Sequence, residues 1–309
     1  MPYSVRRLYH TTHWVPDLDE AALFFSQVFG RESQSLPEFL GYDERTLDPS
    51  YPVNYCRFTP IAEVLFDSID PELHLVDGIQ PHESVSDPHL GAIAWFVDGV
   101  EDLWTELQRL DIRGTDQATK EPEDDGPPLD ISSTPIIFTV PSDTGLAYEF
   151  CPYFPSRDPR GDPPAPSLSP SDPLGIVRCS HHTVLTDRPD RARRLLVDVL
   201  GGRVIHEGRN DVLATDSVYV QLADGVYELA QPLEVGSPAM EDWQRSAPQD
   251  AYHSLTWQVR DLGRVADHLK ASGVALRAYT DTQIVTDAAD GLGIPWGFTT
   301  VLTPGDRRA

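Results

Sequence analysis

Residues 8–30 read LYHTTHWVPDLDEAALFFSQVFG, and residues 179–202 repeat the pattern as CSHHTVLTDRPDRARRLLVDVLGG. The two copies align His10 with His181, 171 residues later, and each copy has a glycine 20 residues after its histidine. Within a copy, the histidine-containing run predicts a strand, and the apolar residues at helical spacing predict a helix that ends at the glycine. Because one offset relates both ends of the pattern, we interpret the chain as a tandem duplication.

The length of the chain fits two domains. It has 309 residues, about twice the size of an average single domain. Residues 154–174, FPSRDPRGDPPAPSLSPSDPL, are rich in Pro, Ser and Asp and have no apolar period, which is typical of an extended linker. We therefore predict one domain at residues 1–153 and a second at residues 175–309.

The composition excludes several classes of partner. The formal net charge is −25 and the chain has only two lysines, so nucleic acid and anionic membrane surfaces would be repelled. The sequence contains no run of about 18 apolar residues and no apolar signal segment at its start, and we expect a cytoplasmic protein. Its three cysteines are too few and too scattered for a disulfide framework.

A weaker repeat lies inside each half. Residues 92–114, AIAWFVDGVEDLWTELQRLDIRG, again predict a strand and a helix, and residues 254–273, SLTWQVRDLGRVADHLKASG, do the same in the second half. Short strand-like runs follow each unit. One strand, one helix and about three more strands would cover one face of a sheet and leave the other face free, so two such units would enclose a cleft. The predicted fold class is α+β.

These segments resemble the vicinal oxygen chelate (VOC) superfamily. HTTHWVPDLDEAALFFSQVFG resembles the opening of a VOC domain, and AIAWFVDGV together with DTGLAYEF resembles its second βαβββ module and closing strand. The resemblance spans nearly the whole chain and implies two tandem VOC domains, each a pair of βαβββ modules around a half-open, barrel-like cleft. Glyoxalase I, bleomycin-resistance proteins, methylmalonyl-CoA epimerases and extradiol dioxygenases share this fold, so it does not specify one reaction.

The resemblance also implies a divalent metal, Fe, Mn, Ni or Zn, in the cleft. The family binds it with a histidine on the first strand, a histidine at the start of the second module and a glutamate on the closing strand. Glyoxalase-like members add a glutamate at the end of the first module. Carried over to this chain, the ligands are His10, Glu72 and Glu149, and Glu149 is also the expected catalytic base. If modules pair across the two halves instead, a cleft would hold His181, Glu228 and Glu149.

The chain departs from the family at three ligand positions. Ala92 stands where the second histidine of the first domain belongs, and Ser254 stands at the equivalent position of the second domain. Gly297 takes the place of the closing glutamate in the second domain. Eroded ligand positions are expected in members of the family that work without a metal.

Neighbouring histidines could restore a ligand. His253 directly precedes Ser254, and His89 lies near the corresponding position of the first domain. A β-bulge could turn either ring into the cleft, because a bulge changes which way a strand residue points. With His253, the alternative ligand set is His181, Glu228 and His253.

Two functional hypotheses follow from the resemblance. The first is a metal-dependent enzyme, dioxygenase-like or glyoxalase-like, that acts on a small aromatic or enolisable oxygenated substrate. The second is a metal-free VOC protein, either a small-molecule binding or resistance protein or a cofactor-independent lyase or isomerase. In both, the partner is a small molecule, and pairing of sheet edges would make a homodimer.

Overall fold

Each half of the sequence forms its own eight-stranded mixed sheet in a computed structural model that describes residues 2–40, 54–76, 78–130, 133–153 and 172–308. The predicted linker falls almost entirely outside the described residues, and the domain boundaries stay a prediction. Every strand of the first sheet precedes the linker, and every strand of the second follows it.

The strands of the first sheet lie in the order β2-β3-β4-β1-β5-β8-β7-β6. Their bounds are β1 (Ser4–Trp14), β2 (Gln34–Ser35), β3 (Cys56–Ile61), β4 (Val64–Ile69), β5 (His89–Asp98), β6 (Gly114–Thr115), β7 (Ile137–Thr139) and β8 (Tyr148–Pro152). Strands β1 and β5 pair antiparallel and join the two modules, while β1 pairs with β4 and β5 pairs with β8 in parallel. Each domain therefore closes on itself, and modules do not pair across the halves.

The second sheet repeats this order as β10-β11-β12-β9-β13-β16-β15-β14. Its strands are β9 (Ile176–Leu185), β10 (Arg203–Asn210), β11 (Thr215–Leu222), β12 (Gly225–Pro232), β13 (Ala251–Val259), β14 (Leu276–Tyr279), β15 (Gln283–Thr286) and β16 (Gly297–Thr299). The identical permutation of eight strands confirms the predicted duplication and the paired βαβββ modules.

One helix follows the first strand of each module, as the repeat predicts. The helices are α1 (Leu18–Phe29), α2 (Leu36–Leu40), α3 (Val100–Arg109), α4 (Pro141–Thr144), α5 (Pro189–Arg193), α6 (Pro238–Ser246) and α7 (Leu262–Ala271). Helix α5 continues as a π-helical segment, Arg194–Val199. Among the described residues, none of the helices combines the length and the apolar character that crossing a bilayer requires.

The ends of α1 show why the repeated segment folds as it does. The Asp17 carboxylate accepts the backbone N–H groups of Asp19 and Glu20, so it satisfies donors that the first helical turn leaves free. At the other end, Gly30 has φ 63°, a left-handed conformation that glycine adopts without a steric penalty. The buried face of α1 includes Phe25 and Phe29.

The helices and the inner faces of both sheets share one hydrophobic core. The ring of Phe29 on α1 meets the ring of Trp296 in the second half edge-on, with centroids 4.8 Å apart. The Trp95 indole on β5 donates a 2.7 Å hydrogen bond to the Tyr227 hydroxyl on β12. Because this core occupies the helix-bearing face of each sheet, the opposite face of each sheet remains available for a cleft.

Two reciprocal hydrogen bonds join the halves. The Leu8 N–H on β1 donates to Asp224 Oδ1 at 2.8 Å, and the Cys179 N–H on β9 donates to Glu63 Oε1 at 2.9 Å. Leu8 and Cys179 are equivalent positions of the repeat, and both carboxylates lie at the hairpin turn before the last strand of a first module. Each half thus supplies a carboxylate to the first strand of the other.

Glu63 should make stability depend on pH. Burial raises the pKa of Glu63 to about 7, against the lowering effects of Arg308 and the Cys179 N–H. The folded pKa lies above the unfolded value, so the stabilisation is complete below about pH 4.5 and is lost as the pH rises to about 7. We expect Glu63→Gln to remove on the order of 1–3 kcal/mol of this pH dependence, measured as the free energy of unfolding in urea from pH 4.5 to 8.

The control for this experiment is Glu101→Gln on the exposed face of α3. Its side chain is in water in both states, so the dependence on pH should match that of the unsubstituted protein. An unchanged pH dependence in Glu63→Gln would contradict the assignment to Glu63.

Candidate functional site

In the first domain, a buried histidine lies between two buried carboxylates. Nε2 of His10 on β1 is 3.3 Å from Oε2 of Glu149 on β8, and Nδ1 is 4.0 Å from Oδ2 of Asp67 on β4. Each of the three residues is only 5 % exposed. The structure thus brings His10 and Glu149 together from distant stretches of the chain, while their role as metal ligands stays a prediction.

A β-bulge in β1 directs His10. Leu8 pairs with Trp95 and Thr11 pairs with Ile93, so β1 advances three residues while β5 advances two. The extra residue locally rotates the strand, and bulges of this kind re-aim side chains beside active sites. The same shift occurs in the second domain between Cys179 and His181. Sequence alternation alone does not reveal this bulge.

Strand β8 places Glu149 by regular alternation. Tyr148 and Phe150 on either side are fully buried in the shared core, so Glu149 points to the opposite face, as the apolar flanks predict. Its Cα pairs with that of Ala94 on β5, and its Oε1 accepts the Cys151 thiol at 3.1 Å. One carboxylate oxygen is thereby held while the other faces His10.

The expected third residue, Glu72, does not join this cluster. Glu72 is an exposed turn residue beyond the end of β4, and its backbone N–H is bound by Asp70 Oδ1. Asp67 occupies the position on β4 that was expected for it, paired with Thr12 of β1. The prediction was wrong by five residues because VLFDSI, buried on both faces, has no alternation to mark where the strand ends.

Asp67 is held in an environment that disfavours its charge. Burial raises its pKa to about 6, with a further contribution from Glu149, although His10 and Cys56 act in the opposite direction. Its Oδ1 is buried and has no hydrogen-bond donor among the described residues. A buried carboxylate oxygen without a donor is costly, and such costs are concentrated at functional sites.

Aromatic rings line the cleft around His10. Tyr9 stacks on Phe96 with centroids 4.2 Å apart and meets the His10 ring edge-on at 4.5 Å. On the other side, Phe58 lies edge-on to His10 at 6.4 Å and stacks with Phe39 of α2 at 4.4 Å. These rings form a wall that suits a flat, largely apolar ligand.

The equivalent cluster of the second domain is saturated with hydrogen bonds. His181 Nε2 lies 3.5 Å from Oε2 of Glu228 on β12, which is fully buried. Four side chains also donate to the Glu228 carboxylate at 2.7–2.9 Å: Thr183, Asn210, Ser217 and Tyr219. Burial alone would raise the pKa of Glu228, but His181 and these donors outweigh it and lower the pKa. This carboxylate is stabilised as an anion by the fold.

His253, the third residue of the alternative ligand set, is directed elsewhere. The register of β13 shifts between Tyr252 and Ser254, so the predicted irregularity is present at His253. Its Nδ1 contacts Ser254 Oγ at 3.2 Å and its Nε2 contacts Asp242 Oδ2 at 3.0 Å. Both ring nitrogens are therefore engaged by residues outside the His181 and Glu228 pair. In the first domain, His89 is exposed, and its Nδ1 contacts the Asp87 carbonyl at 2.9 Å.

The fold is similar to three solved structures that each match nearly the whole chain. A variant of 4-hydroxymandelate synthase from Streptomyces coelicolor matches with a TM-score of 0.59 and 14% identity, covering 96% of this chain and 92% of that chain. The 2,3-dioxygenase LapB from Pseudomonas sp. KL28 matches with a TM-score of 0.59 and 12% identity, covering 100% and 96%. A Mn(II)-bound glyoxalase from Novosphingobium aromaticivorans matches at 0.58 and 13%, covering 99% and 86%.

The chain has the vicinal oxygen chelate fold. No family model and no curated protein matches the sequence. At 12–14% identity these similarities establish the architecture and leave the reaction to the residues of the cleft.

Strand pairing shows where Gly297, one of the three departures from the ligand pattern, lies in the second sheet. In the first domain Ala94 pairs with Glu149, and in the second Thr256 pairs with Gly297, which confirms that Gly297 is the counterpart of Glu149. A Cβ atom at Gly297 would overlap the Thr256 hydroxyl, so a glutamate cannot simply be placed there. Within the described ranges, no group of three His, Cys, Asp or Glu side chains is arranged to enclose a metal ion.

The two equivalent carboxylates should respond oppositely to neutralisation. Because the pKa of Asp67 is raised, its ionised form opposes folding above about pH 6, and Asp67→Asn should increase the free energy of unfolding at pH 8 by about 1 kcal/mol. Because the pKa of Glu228 is lowered, Glu228→Gln should decrease it by about 2–3 kcal/mol. Urea unfolding at pH 8 measures the free energy of unfolding of both variants. If both substitutions change it in the same direction, the predicted difference between Asp67 and Glu228 is wrong.

Proposed function

We propose that the cleft of the first domain is the active site of a VOC-type enzyme that acts on a small aromatic or enolisable oxygenated substrate. The proposal rests on one observation, the burial of His10 between Glu149 and Asp67 at the base of an aromatic cleft. The raised pKa of Asp67 supports it, since a site that costs stability is retained when it does chemistry.

The donor atoms at His10 partly fit the divalent ion that the VOC fold implies. Nε2 of His10 and Oε2 of Glu149, 3.3 Å apart, are close enough to bind one ion side by side. Asp67 lies at the other ring nitrogen, where a carboxylate orients a metal-binding imidazole and raises its basicity. An Fe, Mn, Ni or Zn ion bound there would polarise neighbouring oxygens of a substrate. A single imidazole beside carboxylates favours the oxygen-preferring Mn or Fe among these.

The residues of the cleft have separate tasks in the proposed reaction. Tyr9, Phe96 and Phe58 exclude water and align an aromatic or planar enol against the His10 ring. Glu149 is the base, because its Oε2 faces the cleft while Cys151 holds its Oε1. Where no ion is bound between them, the proton taken from the substrate is held on Oε2 of Glu149, 3.3 Å from His10 Nε2.

A metal-free reaction at the same residues is the second candidate. Its specific support is Ala92, a buried residue without any donor at the position of the family's second histidine. Without an ion, the pair of His10 and Glu149 can still transfer a proton to and from an enolisable carbon, with Asp67 as a second acid near neutral pH. The three similar structures are a glyoxalase, a dioxygenase and a synthase, which supports an enzyme over a binding protein.

Metal content and proton exchange together test the function. Protein purified without chelator is analysed for Fe, Mn, Ni and Zn, and a panel of catechols and α-hydroxy ketones is followed by NMR in D₂O for exchange or conversion. We expect His10→Ala and Glu149→Ala each to lower the rate by at least about 100-fold, since each removes a group that would contact the reacting atoms. The matched control is His181→Ala, the equivalent change in the second domain.

The outcomes separate the candidates. A stoichiometric metal that is lost in both first-domain variants supports the metal enzyme. Turnover without metal that is lost in the same variants supports the metal-free enzyme. Turnover that both variants retain, or that only His181→Ala abolishes, contradicts the assignment to this cleft.

A further inference from the structure

A serine, a histidine and an aspartate form a continuous chain of contacts in the second domain. Ser254 Oγ lies 3.2 Å from His253 Nδ1, and His253 Nε2 lies 3.0 Å from Asp242 Oδ2 on α6. Ser254 and His253 are 5 % and 7 % exposed, so the contacts are shielded from water. Neither the duplicated pattern nor the first cleft uses these residues.

The bulge in β13 makes this chain possible. Successive residues of a regular strand point to opposite faces, which would separate His253 from Ser254. Here the register shifts between Tyr252 and Ser254, and the imidazole reaches the hydroxyl of the next residue. Ser254 pairs with Thr183, whose own hydroxyl reaches Glu228, so Ser254 belongs to the cleft face of the sheet.

The aspartate lies among basic groups. Its Oδ2 is 3.0 Å from His253 Nε2 and 3.3 Å from Arg277 Nη1, and its Oδ1 is 2.8 Å from Arg245 Nη1. In the neutral tautomer that donates its Nε2 proton to Asp242, the ring presents the lone pair of Nδ1 to the Ser254 hydroxyl. This is the arrangement in which a carboxylate orients an imidazole that accepts a serine proton.

The first domain cannot form the same chain. Its residues at the positions of His253 and Ser254 are Gly91 and Ala92, and a Cβ atom at Gly91 would overlap the Trp14 indole. Conversely, the second domain has Gly297 in place of Glu149. The two clefts therefore differ at these positions, although the histidine and carboxylate pairs of His10 with Asp67 and His181 with Glu228 are present in both.

We propose that the second cleft is a separate acyl-transfer site in which Ser254 is the nucleophile, His253 the general base and Asp242 the residue that positions His253. The Ser254 Oγ forms a bond to the carbonyl carbon of a small ester, and its proton moves to His253 Nδ1. The bond from that carbon to the leaving oxygen breaks, and the departing alcohol takes the proton from His253. Water then attacks the acyl-serine by the same route and releases the acid.

Covalent labelling tests the proposal directly. The full-length protein is treated with diisopropyl fluorophosphate, where the Ser254 oxygen would bond to phosphorus and fluoride would leave, and separately with p-nitrophenyl acetate. We expect a single adduct on the intact protein, located at Ser254 by peptide mass spectrometry, and a burst of p-nitrophenolate. Ser254→Ala should abolish both, and His253→Gln should slow labelling by at least about 100-fold.

The positioning role of Asp242 needs its own comparison. Asp242→Asn should slow labelling by about 10-fold or more, because an amide no longer keeps the proton on His253 Nε2 and the lone pair on His253 Nδ1. Asp242→Glu should restore part of the rate. The control is Arg245→Ala, which removes the exposed partner of Asp242 Oδ1 and should leave the rate unchanged. Equal unfolding midpoints for Asp242→Asn and Arg245→Ala would show that stability does not explain the difference.

Other outcomes overturn the proposal. No adduct at Ser254, or an adduct of equal rate in Asp242→Asn, refutes the nucleophile and its relay. An adduct at Ser180 refutes it as well, since Ser180 Oγ also contacts a histidine ring, Nδ1 of His181 at 3.1 Å. Labelling that persists in the His10→Ala variant and in chelator shows that this site and the proposed function of the first cleft succeed or fail independently.

Discussion

The reciprocal hydrogen bonds between the halves constrain the whole molecule. The N–H groups of Leu8 and Cys179 are bound by carboxylates of the opposite half, Asp224 and Glu63. Each N–H lies immediately before the bulge that turns a histidine into its cleft. The docking of the domains and the direction of His10 are therefore fixed by the same short segment of β1.

The buried carboxylates at equivalent positions of the two clefts have pKa values shifted in opposite directions. In the second domain the buried carboxylate of Glu228 accepts four side-chain hydrogen bonds and stabilises the fold as an anion. In the first domain the equivalent carboxylate of Asp67 has a raised pKa and a buried oxygen without a donor among the described residues. Duplication permits this difference, because equivalent positions of the two copies can carry different residues without changing the fold.

The sequence predicted the architecture well because its signals were local and occurred twice. The helix from Leu18 to Phe29 has its cap at Asp17 and its terminator at Gly30, and both act within a few residues. Glu149 was predictable because its apolar neighbours alternate with it. Asp67 was missed because β4 is buried on both faces and gives no alternation, and Glu72 was taken in its place.

The sequence by itself determined the duplication, the paired modules and the α+β class, since these depend on periodicity and on the order of elements along the chain. The pairing of His10 with Glu149 was expected from the resemblance to the VOC superfamily. Only the tertiary structure decided that each domain closes on itself and that Asp67 faces the other nitrogen of His10. It also decided that His253 turns to Asp242 and Ser254. These features depend on strand register and on two bulges, and a bulge is a balance of contacts from several strands that no short stretch of sequence specifies.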